Sequence, residues 1–317
     1  MRFFIKKLGR LIGVVFAVSV LTFLMVSLLP GDVAYAIAGQ DATLEQINII
    51  REEMGLNQPF IIRYLEWAGN CLVGDFGQSI RTTEPVLDAI FARLPVTIEL
   101  MILSQVMAVM LAIPLGLYSA YRAGGTGDKT ITTVGFAFVS VPNFVFGLVL
   151  IYIFALKLEI LPATDYTRIQ DDLWGNIRSM ILPSLAIASA EWVVLMRVLR
   201  SDMVGVLKED YIAMARSKGM SPTYVLFRHA LRPASFTLLT ILGLQVANVM
   251  SGALVIETLF ALPGLGRLLV ENIFARDFNM VQGCVLFIAV FYTVVNFTVD
   301  MLYAVVDPRV RMERRHG

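Results

Sequence analysis

Asp210-Tyr-Ile-Ala-Met-Ala-Arg-Ser-Lys-Gly219 is polar where the chain around it is apolar. The stretch continues through Ser221-Pro222 to His229-Ala-Leu-Arg-Pro233, with an apolar run on each side. Its spacing predicts two short helices joined by a hinge. Ser201 or Asp202 can cap the first, which carries Val206, Leu207, Asp210, Tyr211 and Met214 at helical spacing. Gly219 supplies a left-handed stop, and Ser221 followed by Pro222 is an N-cap with proline at the first helical position. Ala213 and Ala215 are small enough for another backbone to approach closely. Such an insert either touches something outside the membrane or lies as an amphipathic helix on the bilayer surface.

The composition around it is that of a membrane protein. Apolar residues make up 57% of the 317-residue chain and charged residues 16%, against roughly a quarter charged in soluble domains. Six segments approach the roughly 20 apolar residues a span needs: 11–29, 100–118, 131–156, 180–199, 236–256 and 281–306. Their length and lack of alternation predict helices rather than barrel strands. The first follows a basic start (Arg2, Lys6, Lys7, Arg10), and Ala34-Tyr-Ala36 resembles a cleavage site. Its apolar run exceeds the roughly 7–15 residues of a signal core, which makes it an uncleaved helix.

Charge asymmetry orients the spans. With six of them, both termini, the loop at 122–129 and the loop at 197–232 share one side, which carries 17 of the 26 Lys and Arg. That side is cytoplasmic by the positive-inside bias. The expected division is an N-terminal span with an external segment (1–94, the segment being 30–94), then a five-span core (95–307) with a cytoplasmic loop at about 201–232. A cytoplasmic tail, 308–317, follows. The external segment contains a predicted amphipathic helix at 44–54, a stop at Gly55-Leu-Asn-Gln-Pro59 and a second apolar-faced stretch at 59–73. It forms either a small cap on the mouth of a pathway or a packed lid without ligand contact. Cys71 falls in this segment and Cys284 in the last span, which argues against a disulfide between them.

Polar residues inside the spans are few, and each invites a functional reading. They are Gln105, Asn143 (after Pro142), Glu191, Gln245, Asn248, Asn296 and Asp300. Glu191 either faces a pathway and meets a cationic group, or pairs with Arg197 or a partner subunit. Gln245 and Asn248 share a helix face, which suits hydrogen bonds between helices. Phosphate-loop, His-Glu-x-x-His and Gly-x-Ser-x-Gly patterns are absent from the sequence, and His229 and His316 make no ligand cluster with the cysteines. An enzyme of these kinds is excluded, no metal site is expected, and no basic cluster points to nucleic acid.

The opening stretch resembles the cytoplasmic "EAA" loop of binding-protein-dependent ABC importer permeases. The family pattern is Glu-Ala-Ala, three residues, Gly, nine residues, then Ile-x-Leu-Pro. Here Ala213-Met214-Ala215 fills the triplet, Gly219 falls at the family distance, and His229, Leu231 and Arg232 precede Pro233, one place late. The Ala-Arg-x-Lys-Gly core and the Arg-His-Ala-Leu-Arg ending are similar to the peptide- and nickel-type branch. Leu29-Pro-Gly-Asp32, Gly74-Asp-Phe-Gly-Gln-Ser79, Pro95-Val-Thr-Ile-Glu-Leu100, Ile256-Glu-Thr-Leu-Phe260 with Pro263-Gly-Leu-Gly266, and Asp307-Pro-Arg309 match the same branch in order.

The resemblance implies an all-α polytopic protein of the type I importer permease fold in a bacterial inner membrane. It implies a second homologous permease, two ATPases that bind ATP and Mg, and an external substrate-binding protein, with no cofactor in this chain. Asp210, Tyr211, Ala213, Ala215, Arg216, Gly219 and Leu231 would form the ATPase-coupling loop. Glu191, Asn143, Gln245 and Asn248 are the candidate pathway. Glu257, Phe260, Pro263, Gly264 and Gly266 form a compact external turn, either a gate or a brace for the bundle. Peptides are the expected cargo, with nickel chelates, glutathione or another small solute as alternatives. An ion-coupled transporter using Glu191 and Asp300, or a structural or insertion-factor protein, is the rival from another class.

Overall fold

A computed structural model of the chain describes residues 2–28, 43–53 and 57–306. Leu29-Pro-Gly-Asp32, Ala34-Tyr-Ala36, Gly55, Asp307-Pro-Arg309 and the tail at 308–317 lie outside the described residues. Helices dominate: α1 (Arg2–Leu28), α2 (Leu44–Glu53), α3 (Phe60–Leu72), α4 (Val86–Tyr121), α5 (Thr126–Ser140), α6 (Asn143–Leu150, continued by π-type turns at Ile151–Lys157), α7 (Leu173–Val206), α8 (Asp210–Ser217), α9 (Pro222–Tyr224, continued by π-type turns at Val225–Ala230), α10 (Leu231–Leu259), α11 (Leu265–Ala275) and α12 (Phe278–Val306). Among the described residues no strand forms beyond an isolated bridge between Gln78 and Pro85.

The predicted spans fall within helices, with one break. Val86–Tyr121, Leu173–Val206 and Phe278–Val299 are long and apolar enough to cross a membrane. The apolar part of α1 is the shorter Gly9–Met25, and α10 runs 29 residues through the fifth segment. The third segment, expected as one continuous span, is bent by 99° between Thr126–Ser140 and Asn143–Lys157. Pro142 causes the break: it pushes Val141 out of the helical region (ψ 125°) and starts the next helix as its N-cap residue.

The chain forms two compact units, the described parts of Met1–Val96 with Pro263–Phe297, and of Thr97–Leu262 with Thr298–Gly317. In the second, α7 is the hub. Asp172 starts it by accepting from Trp174 N at 3.0 Å, and its buried face runs from Asn176 to Met203. Close approach is bought with small residues. A Cβ added at Gly116 of α4 would sit 3.2 Å from Met196 O, and one at Gly135 of α5 would sit 2.9 Å from Val193 Cγ1. In the first unit the segment before α4 is clamped to the start of α12. The Ser79 hydroxyl donates to Asp277 Oδ2 at 2.5 Å and Asn279 Nδ2 to Gln78 O at 2.9 Å. That accounts structurally for Phe76-Gly-Gln-Ser79.

Candidate functional site

Helix α7 does not stop at Ser201 or Asp202, as the capping pattern predicts; both lie inside it, and it ends at Val206. Burial decides this, because Met203 sits in the core one turn beyond Leu199. A turn through Lys208 and Glu209 then starts α8, with Glu209 extended at its N-cap. The C-terminus is closed at Gly219, whose φ is +78°. Gly219 N donates to Arg216 O at 2.9 Å and Met220 N to Ala215 O at 3.3 Å, the paired bonds of a Schellman stop. Ser221 then caps α9, its hydroxyl accepting from Tyr224 N at 3.3 Å, with Pro222 in the first turn.

Two residues moor α8. Ile212 and Ala215, at i and i+3, are buried in a cluster with Ala120, Leu195, Leu199, Met203, Val225 and Ala230. The opposite face is open: Asp210, Tyr211, Ala213, Met214, Arg216 and Gly219 are exposed. Ala213 and Ala215 therefore part company. Ala213 is available to another chain, whereas Ala215 is spent on this chain's own core. Leu231, at the start of α10, packs half-buried against the same cluster. A cleft of about 500 Å³ beside α8 is lined by Tyr121, Lys208, Arg216, Met220 and Pro222 among others. Partial burial and the neighbouring Glu209 carboxylate raise the Tyr211 hydroxyl above its ordinary value. The arrangement is a short rigid helix fixed underneath, exposed above, and joined covalently to two long helices.

Of the predicted pathway residues, Glu191 and Gln245 come together where α7 meets α10, Gln245 Nε2 lying 3.5 Å from Glu191 O. Glu191 Oε2 and Gln245 Oε1 are buried without a hydrogen-bond partner. Arg197 does not neutralise Glu191; its guanidinium lies over the Phe136 ring, 4.9 Å from the centroid. Asn143 sits apart, its Nδ2 3.8 Å from where a Cβ on Gly252 of α10 would stand. The side chains of Asn248 and Asp300 lie outside the described residues.

In the predicted external turn, Glu257 and Phe260 are buried. Thr97 Oγ1 donates to Glu257 Oε1 at 2.7 Å, and Leu262 N closes the helix end on Glu257 O at 2.8 Å. Pro263 is exposed, while Gly264 and Gly266 are buried, Gly264 as the extended N-cap of α11.

Sequence reading missed a buried carboxylate held on several sides. Asp128, at the start of α5, accepts from Arg200 Nε and Nη2 of α7, each at 2.6 Å, and from Gly124 N at 2.8 Å. The Ser119 hydroxyl completes the set. It also missed Tyr166, whose hydroxyl donates to Glu99 Oε2 at 2.9 Å. Burial, then the Glu99 bond, pushes that hydroxyl well above its ordinary value. Both links join residues far apart in the chain, and no local pattern marks them. Cys71 and Cys284 are free thiols.

The chain matches the family model described as binding-protein-dependent transport system inner membrane component over residues 112–312, and its N-terminal companion model over 1–101. It belongs to that family, and with its apolar helices it is a multi-pass protein of the bacterial inner membrane. Among its relatives, a putative peptide transport system permease protein of Brucella abortus is 40% identical over 98% of each chain. A probable peptide ABC transporter permease protein of Sinorhizobium fredii is 37% identical over 98% of this chain and 99% of its own. A glutathione transport system permease protein of Escherichia coli is also 37% identical, over 98% and 99%. The fold is shared with a crystal structure of an amino acid ABC transporter with histidines, at TM-score 0.50 and 17% identity. That match covers 70% of this chain and 94% of the other.

Proposed function

We propose that this chain is the transmembrane permease subunit of an ATP-driven importer for di- and oligopeptides, delivered by an external binding protein. Peptide transport is named in relatives 37–40% identical over nearly the whole chain. A glutathione-named relative at 37% favours glutathione, itself a short peptide, as the second reading. The subunit would cross the membrane six times, with both termini and the loop at 201–232 in the cytoplasm. It would pair with a second, different permease of the same family and two ATPases, which bind the ATP and Mg. Co-purification of the chain with a stoichiometric ATPase, and titration of its binding protein with di- and tripeptides, test the reading together. An isolated chain that transports without an ATPase would replace it with ion-coupled transport.

The observation that carries the proposal is the face of α8. Asp210, Tyr211, Ala213, Arg216 and Gly219 would meet the ATPase, while Ala215 and Leu231 hold the loop to the bundle. ATP binding would draw the ATPases together and tilt the bundle outward, and hydrolysis would release it. Glu191, Gln245, Asn248 and Asn143 would border the pathway, the unmatched carboxylate oxygen of Glu191 suiting a peptide's cationic group.

Topology gives the next test. A cysteine introduced at Ser217 should react only from the cytoplasm, and one at Asn57 only from outside. Labelling at position 217 in intact cells by an impermeant reagent would overturn the orientation.

The turn from Glu257 to Gly266 is proposed as part of the outer gate. Phe260→Ala is a poor test, because emptying a fully buried phenylalanine site costs about 3–5 kcal/mol. Glu257→Gln keeps the volume. It should lower binding-protein-stimulated ATP hydrolysis while basal hydrolysis and assembly survive. Full stimulation in Glu257→Gln reduces the turn to a brace.

A further inference from the structure

Helix α3 has a strongly amphipathic sequence, yet none of its residues is buried. One side meets α1. Phe60, Tyr64 and Trp67 place their rings 5.2, 5.6 and 5.5 Å from the ring of Phe23. Tyr64 also shares a 2.8 Å hydrogen bond with Ser19, and the Arg63 guanidinium lies 5.8 Å from the Phe23 centroid. Seven residues of helix cover about 10 Å, yet both ends of that run meet the same residue of α1. Phe23 thus fills the hole formed by positions i, i+3, i+4 and i+7 of α3, which fixes that side of the helix to α1.

The next sector of α3 has no cover. Ile61, Leu65 and Leu72, at i, i+4 and i+11, are 69%, 62% and 90% exposed and fall on one face. Glu66 and Asn70 occupy the opposite edge. On α1, Phe16, Leu21 and Met25 are also exposed. Most of α1 forms the apolar stretch Gly9–Met25, which suits a hydrocarbon surrounding. Phe23 lies toward the end of that stretch that leads to the external segment.

We propose that α3 lies in the plane of the outer membrane surface, with Ile61, Leu65 and Leu72 inserted among lipid acyl chains. Tyr64 and Trp67 sit at headgroup depth, where amphipathic rings accumulate. Glu66 and Asn70 face water. A helix of this pattern binds an interface by its apolar sector and leaves its charged edge solvated. The external segment is thereby an anchor at the side of α1, and the proposal holds whatever the transporter carries.

The test uses the assembled transporter in vesicles of phosphatidylethanolamine and phosphatidylglycerol, with Cys71→Ser to remove the half-buried native thiol. Nitroxide labels on I61C, L65C, E66C and N70C are read for relaxation by oxygen, which concentrates in lipid, and by a water-soluble nickel chelate. Labels at 61 and 65 should favour oxygen severalfold over the chelate, and labels at 66 and 70 should show the reverse. Chelate-dominated relaxation at 61 and 65 overturns the proposal, because the face is then in water. Weak relaxation by both agents at 61 and 65 also overturns it, because a protein partner then covers the face. All four labels sit on the exposed surface of α3, so none requires the core to repack.

Discussion

Gly219→Val is expected to abolish transport while leaving the protein inserted in normal amount. The glycine has φ +78° and nothing within 4 Å of where a Cβ would stand, so the penalty is conformational and not steric. A non-glycine residue in the left-handed region costs roughly 1–2 kcal/mol, more when β-branched. That is small against the whole bundle but large for an eight-residue helix held by Ile212 and Ala215. The stop should open, freeing the Arg216 and Ala215 carbonyls and changing the direction in which Ser221 starts α9. Uptake and ATPase stimulation should fall at least about tenfold, the factor carried by 1.4 kcal/mol, while membrane abundance stays level. Gly219→Asn, which tolerates the same backbone better, should retain intermediate activity. Normal uptake in Gly219→Val would remove the coupling role from this loop.

Asp128→Ala should be strongly damaging to stability. The carboxylate side chain is 4% exposed and Arg200 31%. Deleting it strands a guanidinium that has lost both its charge-assisted bonds, along with Gly124 N and the Ser119 hydroxyl. Removing one partner of a buried pair costs about 3–5 kcal/mol, and the exposure of Arg200 argues for the lower end of that range. Thermal unfolding of the purified complex should shift downward, with faster proteolysis near residues 122–126. Asp128→Ala with Arg200→Met should recover part of the loss, because no charge is then left unmatched. Unchanged melting in the single variant would mean that the loop between α4 and α5 is held by other contacts.

The sequence was most informative where local chemistry decides structure. Gly219 as a left-handed stop and Ser221-Pro222 as a helix start are short-range devices, and both form as expected. The C-terminal end of α7 and the course of the third span depart from the sequence expectation for a shared reason. A capping pattern at Ser201 loses to the burial of Met203, and an apolar window from 131 to 156 is blind to the turn that Pro142 imposes. The division of labour within α8 was half visible, since Ile212 and Ala215 are spaced for burial but nothing local says which face the core will take. Asp128 with Arg200, and Glu99 with Tyr166, join residues 72 and 67 positions apart, and only the packing of helices brings them into register.

The mooring of α8 has a kinematic consequence. The loop at 207–230 is the covalent bridge between α7 and α10, and Ile212 and Ala215 lock it to the base of that pair. A pull on α8 is thus shared by both helices, like torque on a yoke, and turns them together. Glu191 and Gln245, one on each arm, would keep their separation if the two helices turned together. Compliance in this unit would then reside outside the yoke, and the 99° elbow at Val141–Pro142 joins α5 and α6, both of which pack on α7.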